Sequence, residues 1–176
     1  SIKKDFPSPV VLAISGDETQ HLLWRLQDGE LSPSLCADPS LYINLLIGTN
    51  NLGNAHHTPE NTARGVMAVV RHILSASSGR LLVHALLPRG QSPRDKARRR
   101  PFVSLMPKVN RVNALIDAEL EEVSRAYPGR VRKISCAAIF APSKLMSQDG
   151  SEVNIALMPD ALHPSVEGSR LLGECI

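Results

Sequence analysis

Short apolar runs alternate with stretches of helical periodicity along the whole chain, and this alternation limits the fold more than any other feature. The runs are residues 9–14, 41–47 and 81–87, rich in Val, Ile and Leu, and the more polar 131–136. Between the first two, residues 18–26 are amphipathic and stop at Asp28-Gly29. Thr58-Pro59-Glu60 opens a further helix: Thr caps it, Pro takes the first helical position, and Glu favours the positive end of the dipole. Val66, Val69, Val70, Ile73 and Leu74 then recur at helical spacing. Residues 106–126 repeat the pattern with Val109, Val112, Ile116, Leu120 and Val123, and residues 165–175 read as a closing helix. Strands alternating with helices predict βαβ units, hence an α/β fold whose parallel sheet is covered on both faces. A length of 176 residues fits one domain, 1–176.

Composition then removes several classes of function. Hydrophobic residues are 43% and charged residues 21%, which suits a packed core rather than disorder. No apolar run approaches the roughly 20 residues of a membrane-spanning helix, and residues 1–7 lack the apolar centre of a signal peptide. A net charge of +3 is too small to argue for nucleic acid, which is not an expected partner. Aromatic residues at 3% leave little from which to build a stacking platform.

Cys36, Cys136 and Cys175 are odd in number, widely spaced and without Cys/His ligand spacing. They predict no zinc and no disulfide, Cys136 as a small buried apolar residue, and an intracellular, reducing and most simply cytoplasmic compartment. His56-His57 has no carboxylate or cysteine at ligand spacing, so it reads as polar loop before the Thr58 cap; neither metal nor cofactor is expected. His84 reads as a core histidine, Trp24 as core or interface packing, and the basic run 94–100 as a solvated loop.

Ligands of an open α/β sheet bind beyond the carboxyl ends of its strands. Ser15-Gly16-Asp17, Gly48-Thr49-Asn50-Asn51 and Pro88-Arg89-Gly90 all follow apolar runs. Each can be a plain turn, because Gly and Asn tolerate left-handed backbone. Gly-Thr-Asn-Asn can also aim an amide at developing negative charge, with Gly permitting close approach. In Asp160-Ala161-Leu162-His163-Pro164, the carboxylate three residues before the imidazole can fold back and accept its Nδ1–H. That fixes the tautomer and leaves Nε2 as a base able to activate a hydroxyl. Taken alone, the same string is a weak signal and reads first as a surface turn before a helix.

In order, the chain carries Gly16-Asp17-Glu18-Thr19-Gln20-His21-Leu22-Leu23-Trp24-Arg25-Leu26, the Gly48 block, Leu87-Pro88-Arg89-Gly90, Val109-Asn110-x-x-Asn113, and Met158-Pro159-Asp160-Ala161-Leu162-His163-Pro164-Ser165-x-x-Gly168. This set resembles the SGNH/GDSL hydrolase superfamily, and within it the platelet-activating-factor acetylhydrolase alpha-subunit group. The resemblance implies a three-layer, flavodoxin-like α/β/α fold and hydrolysis of small acyl or acetyl esters through a Ser-His-Asp triad. It implies His163 as general base, Asp160 as its orienting partner, and Gly16 and Asn50 as oxyanion donors. Asp17, Thr49 and Asn51 would border the pocket. It also implies a homodimer or a larger protein assembly.

The family nucleophile is the serine of a Gly-Asp-Ser block at the end of the first strand, and no Gly-Asp-Ser occurs in these 176 residues. Ser15-Gly16-Asp17 belongs to the second block. The visible strands match numbers 2 to 5 of the family order, so the sheet is expected to lack its first strand. Three explanations stand: an N-terminally incomplete piece of an active esterase, a strand and serine supplied by another chain, or an inactive domain serving as a structural or interaction subunit. The retention of Gly16, Asn50, Asp160 and His163 together favours the first.

Overall fold

The computed structural model describes residues 9–53, 55–90, 97–99, 104–140 and 153–176. Most of the basic run 94–100 and the first seven residues therefore lie outside the described residues. The chain divides into two compact units. One comprises Leu12–Leu86 and Asn110–Ser135; the other comprises Ser1–Val11, Leu87–Val109 and Cys136–Ile176.

The first unit contains the sheet. Its strands β1 (Tyr42–Leu45), β2 (Arg80–His84) and β3 (Val131–Ile134) run parallel in the order β1-β2-β3. Ile43 lies opposite Leu81, and Leu81 opposite Val131. The central strand buries Leu81 and Val83 on one face and His84 on the other, as a strand with helices on both sides must. In chain order the helices are α1 (Thr19–Arg25), α2 (Pro33–Ala37), α3 (Thr49–Gly53), α4 (Pro59–Ala76), α5 (Met106–Ala126) and α6 (Val166–Cys175). The Thr58 hydroxyl accepts from the Asn61 N–H at 3.1 Å, with Pro59 first in α4, as the sequence predicts. Val66, Val69, Val70, Ile73 and Leu74 on α4, and Val112, Ile116, Leu120 and Val123 on α5, are all buried.

Residues 9–14 form no strand, which corrects the expected four-strand reading. Val10, Val11, Leu12 and Ile14 are exposed. Among the described residues nothing pairs with the outer edge of β1. A strand without a neighbour leaves its N–H and C=O groups to water, so apolar character alone does not make one. Just past β2, Leu86 gains a substitute neighbour. Its N–H donates to Asn113 Oδ1 at 2.8 Å, and Asn113 Nδ2 donates back to the Leu86 carbonyl at 3.1 Å. Trp24, expected in packing, is 63% exposed.

In the second unit, Phe140, Val153, Met158 and Ala161 form a buried cluster, flanked by Leu87, Ile139, Leu157 and Leu172. Cys136 and Cys175 are disulfide-bonded, with Cα atoms 6.1 Å apart. This corrects the expectation of no disulfide and removes the ground on which a reducing compartment was expected. The reason is tertiary: 39 residues separate the two cysteines in sequence, and only the fold of the second unit brings the end of α6 to Cys136. Cys36 is free. No described helix is long and apolar enough to cross a membrane.

Two consequences are measurable. The disulfide closes a 39-residue separation, so Cys175→Ser should lower unfolding stability in urea by about 2–4 kcal/mol. A Cβ on Gly65 of α4 would lie 2.2 Å from Thr19 Oγ1, at the buried start of α1. Gly65→Ala should therefore destabilise by about 1–3 kcal/mol rather than stabilise, as the better helix former would at an open site.

Candidate active site

Gly16 occupies a tight turn in which the Asp17 N–H donates to the Ile14 carbonyl at 3.2 Å. Its φ of 87° is what the third position of a type II turn requires, and glycine adopts it without strain. The residue is exposed, and no described group accepts from its N–H. Asn50 lies in the first turn of α3, directly after Gly48 and Thr49. Gly48 has φ 120°, and a Cβ there would press to 3.2 Å of Thr62 and 3.3 Å of Val66 on α4. Glycine at this point therefore lets the chain leave β1 against α4.

Asn50 Nδ2 donates to the Asp17 carbonyl at 2.9 Å. The Gly16 and Asn50 blocks, 33 residues apart by that bond, are thus brought into contact. Thr49 starts α3 and is half-buried. Asp17, expected at the pocket, is ion-paired to Arg25, which also pairs with Glu30. Asn51, also expected to border the pocket, is fully buried. Its carboxamide is taken up by Thr19, Gln20 and His57, because an interior amide has to find partners for both of its ends.

Asp160 and His163 lie in the other unit. His163 Nδ1 is 2.6 Å from Asp160 Oδ2, while Asp160 Oδ1 accepts from the N–H groups of His163 at 2.7 Å and Leu162 at 3.0 Å. The carboxylate therefore organises the whole turn as well as orienting the ring. Ala161 makes this possible with φ 61° and a fully buried methyl group in the Phe140 cluster. The side chains of His163 and Asp160 are 73% and 51% exposed, and no described group engages Nε2. Burial pushes the Asp160 carboxyl up, but the bonds from the imidazole and the two N–H groups outweigh it and hold it below the usual range.

Supports lie on both sides of this turn. Ser165 caps α6, accepting from the Gly168 N–H at 3.1 Å, and its own N–H donates to the Leu157 carbonyl at 2.7 Å. A Cβ at Gly168 would come within 2.5 Å of that same carbonyl oxygen. The Gly90 N–H donates to the Ala161 carbonyl at 3.0 Å. Half-buried Arg89 is thereby beside the turn. Burial lowers its pKa, and the Asp160 charge opposes that shift.

Sequence reasoning missed the Asp17–Arg25–Glu30 cluster and the engagement of His57. Asp17 lies outside α1, eight residues before Arg25, so no helical i,i+3 or i,i+4 spacing signals their pairing. For His57 no signal existed, because its partners lie in other segments. Among the described residues no His/Cys/Asp/Glu cluster could hold a metal ion.

A family model described as GDSL-like Lipase/Acylhydrolase matches residues 2–171. Platelet-activating factor acetylhydrolase IB subunit alpha1 of Bos taurus is 38% identical over 115 residues. That match covers 65% of this chain and 43% of the relative, so the chain spans less than half of it. A GDSL-like lipase from Bacteroides thetaiotaomicron superposes with a TM-score of 0.61 at 17% identity, over 92% of this chain and 70% of that one. Est24, a carbohydrate acetylesterase from Sinorhizobium meliloti, gives 0.55 at 19% identity, over 88% and 63%. At these identities the two structures speak for the fold.

Asp160 supplies a pH test. Its folded pKa lies below the unfolded value, so its contribution to stability is full above the unfolded value and lost as pH falls through the folded one. The difference in Tm between wild type and Asp160→Ala should hold steady from neutral pH and shrink below about pH 4. A difference unchanged well below that pH would show that the charge of Asp160 does not hold the turn.

Proposed function

Because the chain belongs to the GDSL-like lipase/acylhydrolase family, we propose that it is the part of a serine esterase that carries the general base and the oxyanion donors. The serine is supplied from outside these 176 residues, on a strand that pairs with the free edge of β1. The observation that carries the reading is the 2.6 Å contact between Asp160 and His163 Nδ1, with Nε2 unengaged by any described group. The bulk of residues 1–176 then forms one hydrolase domain completed by that strand.

The chemistry follows from the groups. His163 Nε2 takes the proton of the serine hydroxyl as its oxygen bonds to the acyl carbon. Asp160 holds the ring in the required tautomer and stabilises the imidazolium. The Gly16 N–H and Asn50 Nδ2 donate to the carbonyl oxygen as it becomes an anion. Collapse breaks the ester bond, His163 returns its proton to the leaving alcohol, and water repeats the cycle on the acyl-serine. Small acyl or acetyl esters are the substrate class, supported by the acetylhydrolase name of the bovine relative. The subunit name of the bovine relative supports a homodimer or larger assembly.

The protein bearing its serine segment should hydrolyse p-nitrophenyl acetate and be labelled by a fluorophosphonate. His163→Ala should lower kcat by at least about 10³-fold, and Asp160→Asn by up to about 10⁴-fold, with folding intact. No turnover together with no labelling would sink the esterase reading and leave a non-catalytic subunit.

A further inference from the structure

The two candidate oxyanion donors come from separate segments, and one buried side chain joins those segments. Asn51 Oδ1 accepts from the Thr19 N–H at 3.1 Å. A backbone N–H can only donate, so this bond fixes which end of the amide is oxygen. Nδ2 is then the donor end. It stands 3.1 Å from Thr19 Oγ1, 3.2 Å from Gln20 Oε1 and 3.2 Å from His57 Nδ1. Its two hydrogens face three acceptors, and one given to Nδ1 puts the proton of a neutral His57 on Nε2.

Other bonds close the same junction. The His57 N–H donates to the Asn51 carbonyl at 2.8 Å. His57 Nε2 lies 3.8 Å from Glu18 Oε2, which also accepts from Gln20 Nε2 at 2.8 Å. The junction ties α3 to the first turn of α1. Gly16 lies just before that turn, and Asn50 is the immediate neighbour of Asn51.

We propose that Asn51 and His57 are positioning residues that fix the separation of the Gly16 and Asn50 donors, His57 acting as an acceptor in its Nε2–H form. The oxyanion role rests on the esterase reading above; the clamp rests on the hydrogen bonds alone. Oxyanion donors act where charge develops, so a loosened clamp lowers kcat and spares KM. An error of about 1 Å in such a site can cost on the order of 10²-fold.

The test has two independent arms. Nitrogen-15 NMR of the imidazoles should show His57 as the Nε2–H tautomer in wild type. It should move to Nδ1–H in Asn51→Asp, where a carboxylate faces Nδ1. An Nδ1–H form in the wild type overturns the clamp, whatever the activity. In the protein bearing its serine segment, His57→Phe should lower kcat by roughly tenfold or more, with KM within about twofold. His57→Asn, which places an acceptor near the Nδ1 position, should recover most of that loss. Equal kcat for the Phe and Asn variants, or a Phe variant with wild-type kcat, overturns the positioning role. If the wild type shows no turnover, the esterase reading falls with the oxyanion role, and the tautomer still decides the clamp.

Discussion

A parallel strand satisfies its backbone N–H and C=O groups only through neighbours, and the first unit is arranged around that requirement. β2 has a neighbour on each side and is the best buried of the three strands. Beyond its end, where β-pairing stops, the carboxamide of Asn113 takes the place of a strand for Leu86. Among the described residues β1 has one neighbour, and the apolar residues 10–14 stay exposed instead of extending the sheet. The Gly48 loop leaves from the end of β1, so the pairing of that strand also fixes where Asn50 and Asn51 begin.

The site groups are held by short-range bonds within each unit. Around Asp160, one carboxylate serves an imidazole and two backbone N–H groups, while Ala161 anchors the turn in the Phe140 cluster. The exposed pair contributes little to stability, since water competes for both partners. Its value is orientation of the ring. Around Asn50, the polar network is largely interior, and there an unsatisfied amide would be costly. One cluster is thus built for access and the other for rigidity.

The parts that could be read from sequence were those decided by nearby residues. The Thr58 cap, the extent of α5 and the fold-back of Asp160 on His163 involve partners three residues apart, or periodicity within one helix. Gly16 and Gly48 showed as glycines, and both have a positive φ. The ordered blocks also named the family. Residues 9–14 misled because a strand is a property of two segments, not of one. Asn51 and His57 were read separately, as pocket edge and polar loop, although they bond each other.

Sequence by itself determined the long helices α4 and α5, the residues that form their core stripes, and the family to which the ordered blocks belong. Those follow from local propensity, hydrophobic period and side-chain type. Only the tertiary structure decided that the sheet has three described strands, that Cys136 bonds Cys175, and that Asn51 is buried against Thr19. Each of these depends on groups more than thirty residues apart meeting within bonding distance, and no local preference encodes such a meeting.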